Sequence, residues 1–303
     1  MNNQKVINII KIKPQLVVFV GFFIYAFSLG AMFPRLDDIQ TSLAIDKAEL
    51  GLLLLCIPLG LQVTLVFADR LVRAIPLKNI ICIGIPSICF MQFAAVAINQ
   101  ISFFAFFLMV CGAFVAVVEV AINLEADRVE HALGSRIMNR SHAFWSIGFF
   151  SAAVVGALFS QFKVMLEIHF LLICVISFVT SKIIFKDYVV ASPRHANVTK
   201  IKKFSLPTGP IFVMVLFTMA AMLVEGASID WSVIFMREIH YASPFLSGFS
   251  LAMAAFSQAL IRFFGDNLLN KFGPTFISIA SLFFMSLGVI LVILSSSSIL
   301  AIL

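Results

Sequence analysis

Charge is what this sequence has least of. Only 12% of its 303 residues are Asp, Glu, Lys or Arg, against roughly a quarter in an ordinary soluble domain, while 61% are hydrophobic. That balance excludes a soluble globular domain and points to a polytopic membrane protein. Cysteine is scarce as well. Cys56, Cys82, Cys89, Cys111 and Cys174 all lie inside apolar blocks with no CxxC pair and no partnering histidine, which leaves a disulfide framework or a metal site without support. There is no HExxH and no GxSxG, and His131 and His142 flank a polar stretch rather than share a helix face. A membrane-embedded hydrolase or acyltransferase therefore lacks its nucleophile or metal set. The 12 methionines and 34 phenylalanines spread along the whole chain as packing and lipid-facing material, so no cofactor is implied. The basic start MNNQKVINIIKIK is followed by no small-residue cleavage site, and the first apolar segment is expected to stay as a membrane helix.

What is present is a series of apolar runs, each near the roughly 20 residues that cross a bilayer. Nine are expected, at about 16–34, 50–67, 79–98, 102–124, 141–160, 165–185, 209–228, 245–264 and 275–295. With a cytoplasmic N-terminus, 17 of the 21 Lys and Arg residues face the cytoplasm and only Arg35, Lys47, Lys163 and Arg237 lie outside. That asymmetry fixes the orientation and supports the count, because one miscounted helix would invert every later loop. The net charge of +6 is therefore a matter of topology rather than of nucleic-acid binding.

The longest polar segment is basic, carries Pro193 and separates the sixth and seventh spans. It reads as a cytoplasmic linker over 186–208, between an N-terminal six-helix bundle over 1–185 and a second bundle over 209–303. FADRLVRAIPLKNI from Phe67 and FGDNLLNKFGPTFI from Phe264 are related at an offset of 197 residues, which also pairs Gly51 with Gly248. Two parallel six-helix repeats are expected from this, and the second would then be partial, with three helices and the start of a fourth. A truncated product, a fragment, and a second chain supplying the remaining helices are three readings of that arithmetic.

Three stretches in order resemble the major facilitator superfamily, and within it the fucose-permease-like, YbjJ-type branch. Ala68 to Arg73 is similar to the superfamily's acidic-basic loop motif, with Leu65 where a glycine usually begins it. Glu119 to Asn123, followed by Glu130, Met138 and His142, is similar to the branch's fourth and fifth helices, with Ala143 in place of a glycine. Glu225 to Ser232 and then Arg262 to Asp266 are similar to its seventh helix and second loop motif. The resemblance implies an all-α bundle of the major-facilitator type and a bacterial inner-membrane transporter of small solutes. It also implies a proton-coupling role for the acid on the fourth helix, and a gating role for Asp69, Arg70 and Asp266, with Glu130 and Arg262 beside them.

Read as chemistry, Glu119 and Asn123 lie one helical turn apart on one face inside an apolar run. A carboxylate at that depth costs roughly 2.5–3.5 kcal/mol on insertion scales and is by default a proton or solute site, the bland alternative being a protonated acid bonded to a neighbouring helix. His142, at the cytoplasmic start of the fifth span, is expected to hydrogen-bond a carboxylate such as Glu130 and fix the hinge, with proton relay as the alternative. Glu225 and Asp230 stand about 140° apart on a regular helix, and a break at Gly226 would turn both into a cavity. Trp231 is either a stacking platform for a sugar or an interfacial anchor. Arg262 either snorkels or forms half of a conformational latch.

These residues favour a secondary active transporter of a small polar solute, sugar-like and proton-coupled, that works by alternating access in the lipid bilayer. A transport-inactive remnant of such a protein is the alternative. A ten-helix drug or metabolite carrier would repeat near half the chain length, and the 197-residue offset argues against it.

Overall fold

Backbone polar groups inside hydrocarbon must be satisfied within their own segment, and the chain meets that demand with helices. The computed structural model describes residues 13–193 and 208–302, and every regular element among them is helical. They are α1 (Pro14–Gly30), a 3-10 turn (Phe33–Arg35), α2 (Leu36–Leu43), α3 (Lys47–Leu54), α4 (Cys56–Ala74), α5 (Leu77–Ile98), α6 (Ile101–Leu133), α7 (Met138–Gln161), α8 (Leu166–Phe185), α9 (Gly209–Glu238), α10 (Pro244–Phe272), α11 (Pro274–Leu294) and the short α12 (Ser298–Ile302). Among the described residues, nine segments are long and apolar enough to cross a membrane, as expected, with α1–α2 and α3–α4 each counting as one. Most of the expected linker, 194–207, lies outside the described residues.

The helices outrun the apolar windows at their polar ends. The first span continues through the 3-10 turn at Pro34 into α2, and the second begins at Lys47. Its start is fixed by a capping box: Asp46 accepts from the Glu49 amide at 2.8 Å while the Glu49 carboxylate accepts from the Asp46 amide at 3.0 Å. α6 runs through the charged stretch expected to be a hinge, so Glu130 is helical, and α10 runs through Asp266. Asp69 and Arg70 likewise sit within α4 rather than in a loop. Charged side chains at helix ends reach the interface without interrupting the backbone ladder, which is why polarity alone misplaced these boundaries.

Close packing depends on small residues. A Cβ at Gly60 of α4 would lie 1.9 Å from the Met109 carbonyl oxygen, and one at Gly112 of α6 would lie 2.0 Å from that of Ile57, so the two helices cross backbone to backbone. Gly148 of α7 meets the Phe23 carbonyl of α1 in the same way, at 2.1 Å. α1 is the centre of the first bundle: Phe22, Tyr25 and Ala26 are fully buried, with α5, α6, α7 and α8 around it. A polar stitch joins α1, α5 and α8, where the Ser28 and Ser177 hydroxyls meet at 2.7 Å and Gln92 donates to the Leu29 carbonyl at 3.2 Å.

The most extensive contact between any two helices is α7 with α10, and it joins the first bundle to the second. A Cβ at Gly248 of α10 would stand 2.6 Å from Ala157 of α7. The 197-residue repeat is visible in the elements themselves: α3 and α10 begin at Lys47 and Pro244, and α5 and α11 at Leu77 and Pro274. α9 and α11 are peripheral, with no residue of α11 buried.

Gly112→Leu should force α4 from α6 and lower thermal stability in detergent by about 1–3 kcal/mol, the usual cost of overpacking. Gly288→Leu, where nothing stands within 4 Å, should leave it unchanged. Equal melting temperatures for the two variants would contradict the packing described.

Candidate functional site

Five helices bring polar side chains towards the contact of the two halves. α6 sets Glu119 and Asn123 one turn apart, and the Asn123 amide donates to the Glu119 carboxylate and to the Glu119 backbone carbonyl, both at 2.9 Å. The buried Tyr25 hydroxyl of α1 faces the same carboxylate. α7 sets His142, Trp145 and Ser146 along one face, the spacing that stacks side chains over one turn. The His142 ring packs edge-on against Phe22 with centroids 5.1 Å apart, within the electrostatic reach of both Glu119 and Arg262. α10 contributes Gln258 and Arg262, and α9 contributes Glu225.

Arg262 joins these groups. Its Nη1 donates to the Ser146 hydroxyl and, at 3.5 Å, to the His142 carbonyl. Its Nη2 lies 3.8 Å from Glu225, and the guanidinium sits 5.8 Å from the Trp145 ring centroid. Gln258 donates to the same Glu225 oxygen at 3.0 Å. A cavity of about 360 Å³ opens beside them, its polar lining made of Glu225, Ser228, Gln258 and Arg262, with Trp145 and Met285 on its walls. A mostly apolar pocket of this size with a few convergent polar groups is the usual form of a small-molecule site.

The other expected residues divide. α9 is an unbroken helix through Gly226, so Glu225 faces the cavity while Asp230 and Trp231 turn away. Of the two alternatives for this helix, the regular one holds. With the backbone bonds of α9 continuous, the 140° separation of the two acids stands. Trp231 packs beside Gly51, where a Cβ would lie 3.5 Å from the indole, and Asp230 makes no hydrogen bond among the described residues. Glu130 does not hold His142. Its carboxylate accepts from the Ile137 and Met138 amides at 2.7 and 3.0 Å, binding the unsatisfied N–H groups at the start of α7. Asp69 pairs within its own helix with Arg73 at 2.9 Å, both exposed, and Arg70 is exposed. Asp266 does cross between the bundles, accepting from Asn139 at 2.5 Å.

Several participants escaped the sequence reading. Trp145, Ser146 and Gln258 gave no motif, although Trp145 stands one turn from His142. Two ion pairs clamp α9 to the first bundle: Arg237 holds Asp37 through Nε at 2.9 Å and Nη2 at 2.8 Å, and Lys47 pairs with Glu238. The buried Arg35 nearby binds Asp38, the Val164 carbonyl at 2.7 Å and His169 at 3.4 Å. Arg35, Lys47 and Arg237 are three of the four basic residues that stood apart in the charge count, and that exception was the available signal. Glu125, 1% exposed, was also passed over. It accepts from the Tyr188 hydroxyl at 2.6 Å and the Ala191 amide at 2.8 Å, tying down the chain beyond α8. Burial and that carboxylate push the Tyr188 phenol above its ordinary range.

Membrane-spanning helices that meet along one long contact, are clamped by ion pairs and border a part-polar cavity make up a multi-pass membrane protein. The chain belongs to the Major Facilitator Superfamily, whose family model matches residues 18–303. It is 27% identical over 300 residues to an uncharacterized MFS-type transporter of Yersinia pestis, covering 96% of this chain and 75% of that protein. It is 26% identical over 285 residues to the transporter y4wD of Sinorhizobium fredii, covering 92% and 74%. In fold it is similar to the nucleoside transporter NupG. A single-substitution variant of NupG aligns with a TM-score of 0.66 at 14% identity, over 86% of this chain and 69% of that one. NupG itself aligns with a TM-score of 0.58 at 16% identity, over 86% and 68%.

Charge reversal at either partner, Asp37→Arg or Arg237→Asp, should lower thermal stability. Exchanging both should restore most of it, with a coupling energy of about 0.5–3 kcal/mol in the double-mutant cycle. Additive losses would show that the pair does not clamp the bundles.

Proposed function

We propose that the chain is a proton-coupled transporter of a small polar, sugar-like solute that works by alternating access. Glu119 is the proton site, and the cavity of Trp145, Glu225, Gln258 and Arg262 is the solute site. The observation that carries this reading is the continuity of polar groups from Tyr25 and Glu119, past His142 and Arg262, to Glu225, across the contact of the two bundles. Ionisable groups are expensive at such depth, and transporters place them along proton and solute paths. The halves that rock are 13–185 and 209–302, with the N-terminus in the cytoplasm and the Asp37–Arg237 and Lys47–Glu238 clamps on the outer side.

The solute class follows from the lining. Glu225 and Gln258 offer acceptors to hydroxyl donors, Arg262 offers donors, and Trp145 offers a flat apolar face. Those are the groups a polyhydroxylated ring requires, and a nucleoside, the solute class of the transporter NupG, carries such a ring. The fucose-permease-like resemblance points to the same chemistry.

In proteoliposomes, an inward proton gradient should drive uptake of at least one sugar or nucleoside from a broad panel, and a protonophore should collapse it. Glu119→Gln should abolish gradient-driven accumulation while sparing counterflow, and Glu225→Gln should raise KM. Flux that ignores the proton gradient, or gradient-driven accumulation that survives in Glu119→Gln, would contradict the assignment.

A further inference from the structure

We propose that Gln258 is a positioning residue that keeps Glu225 and Arg262 apart as a matched acceptor and donor, and that this pair selects a neutral hydroxylated solute over charged or deoxygenated ones. The inference rests on the reading of the cavity as the solute site, and it adds what holds that site open and which solutes it refuses.

A carboxylate and a guanidinium that share a mostly apolar cavity are expected to close into a hydrogen-bonded ion pair. Glu225 and Arg262 do not. Their nearest atoms, Glu225 Oε1 and Arg262 Nη2, stand 3.8 Å apart, beyond hydrogen-bond range. The reason lies in what else each group binds. Gln258 Nε2 donates to that same Oε1 at 3.0 Å, and among the described residues no other hydrogen bond reaches the Glu225 carboxylate. Arg262 stands one turn further along α10, yet its Nη1 reaches the other way, to the Ser146 hydroxyl and the His142 carbonyl of α7. Two side chains on one face of α10 therefore pull in opposite directions, Gln258 on α9 and Arg262 on α7.

A hydroxyl can donate to the carboxylate and accept from the guanidinium at once, because it carries both functions. An anionic solute meets Glu225 and a cationic one meets Arg262, and in low-dielectric surroundings either like charge opposes binding. A deoxy analogue leaves both groups without a solute partner, which is how a site built around hydrogen bonds rejects it. Ser228, one turn from Glu225 on α9, adds a second acceptor: its proton is given to the Val224 carbonyl at 2.8 Å, so it offers the cavity its lone pairs. Without the Gln258 amide nothing competes for Oε1. The carboxylate and the guanidinium then close on each other, and each satisfies its partner rather than a solute.

The chain has two tryptophans, so Trp231→Phe leaves Trp145, which lines the cavity beside Arg262, as the single indole reporter. In the purified full chain carrying that substitution, in lipid nanodiscs without solute, Gln258→Met should shift Trp145 emission as the ion pair closes. The same change made together with Glu225→Gln should produce no such shift. Gln258→Asn, too short to reach Glu225, gives the same test with the amide polarity kept, and serves alone should Gln258→Met fail to fold. An unshifted emission, or a shift that persists in Glu225→Gln, overturns the positioning role. In proteoliposomes, neutral sugars and nucleosides should be taken up with a KM lower by roughly tenfold or more than their deoxy, amino and carboxylate analogues. Gln258→Met should raise KM for the neutral solutes, leave the maximal rate nearly unchanged and narrow that preference. A preference for charged or deoxy analogues, or a Gln258→Met variant that loses only maximal rate, overturns the proposal. Uptake of nothing in the panel removes the transport reading, while the emission still decides whether Gln258 holds the pair apart. Selective uptake without the emission shift overturns the positioning role and leaves the transport reading standing.

Discussion

A guanidinium inside a bilayer is tolerated only while other groups bond it, and the arrangement of Arg262 is the constraint on which the bundle contact depends. Ser146, the His142 carbonyl, the Trp145 face and the nearby Glu225 supply those groups. Those partners come from both bundles, so the charge is satisfied only when α7, α9 and α10 stand together. A group that needs both bundles can report on their relative position. That is the physical reason to find it at the cavity rather than at a lipid-facing site.

The scaffold around it relies on shape more than on apolar attraction, because lipid is as apolar as the side chains it would displace. Gly60 against Met109, Gly112 against Ile57 and Gly148 against Phe23 let backbones touch and hold the first bundle as a body. The second bundle meets it along α10, again through a glycine at Gly248, and is tied at one end by Asp37–Arg237 and Lys47–Glu238. The 197-residue offset between α3 and α10, and between α5 and α11, shows the two bundles using one helical plan. A tight body, a second body packed on it by one long contact, and a few breakable ion pairs are what a rocking motion requires.

Much of the fold was legible in the sequence for a simple reason: hydrocarbon leaves the chain few choices, so apolar length gives the helices. Glu119, Asn123 and Glu225 stood out because cost marks polar groups inside apolar runs. What escaped were groups that look cheap in one dimension. Trp145 and Gln258 carry no charge, and their value appears only when α7, α9 and α10 are assembled. Asp37 and Glu238 sit at helix ends where carboxylates are ordinary, although their partners Lys47 and Arg237 already stood out in the charge count. Asp230 and Trp231 could join Glu225 only through a break at Gly226, and α9 runs on unbroken. A glycine in a long membrane helix need not bend it, and Gly226 has open space around it instead.

The central claim is that Glu119 is the carboxylate that takes up a proton as the transporter cycles. Infrared difference spectra of the membrane-reconstituted chain between alkaline and acidic pH test it directly, through the C=O stretch of a newly protonated carboxylic acid. The account predicts such a band in the native chain and in Glu225→Gln, and its disappearance in Glu119→Gln. A band that remains in Glu119→Gln and vanishes in Glu225→Gln would place the proton on Glu225 and contradict it.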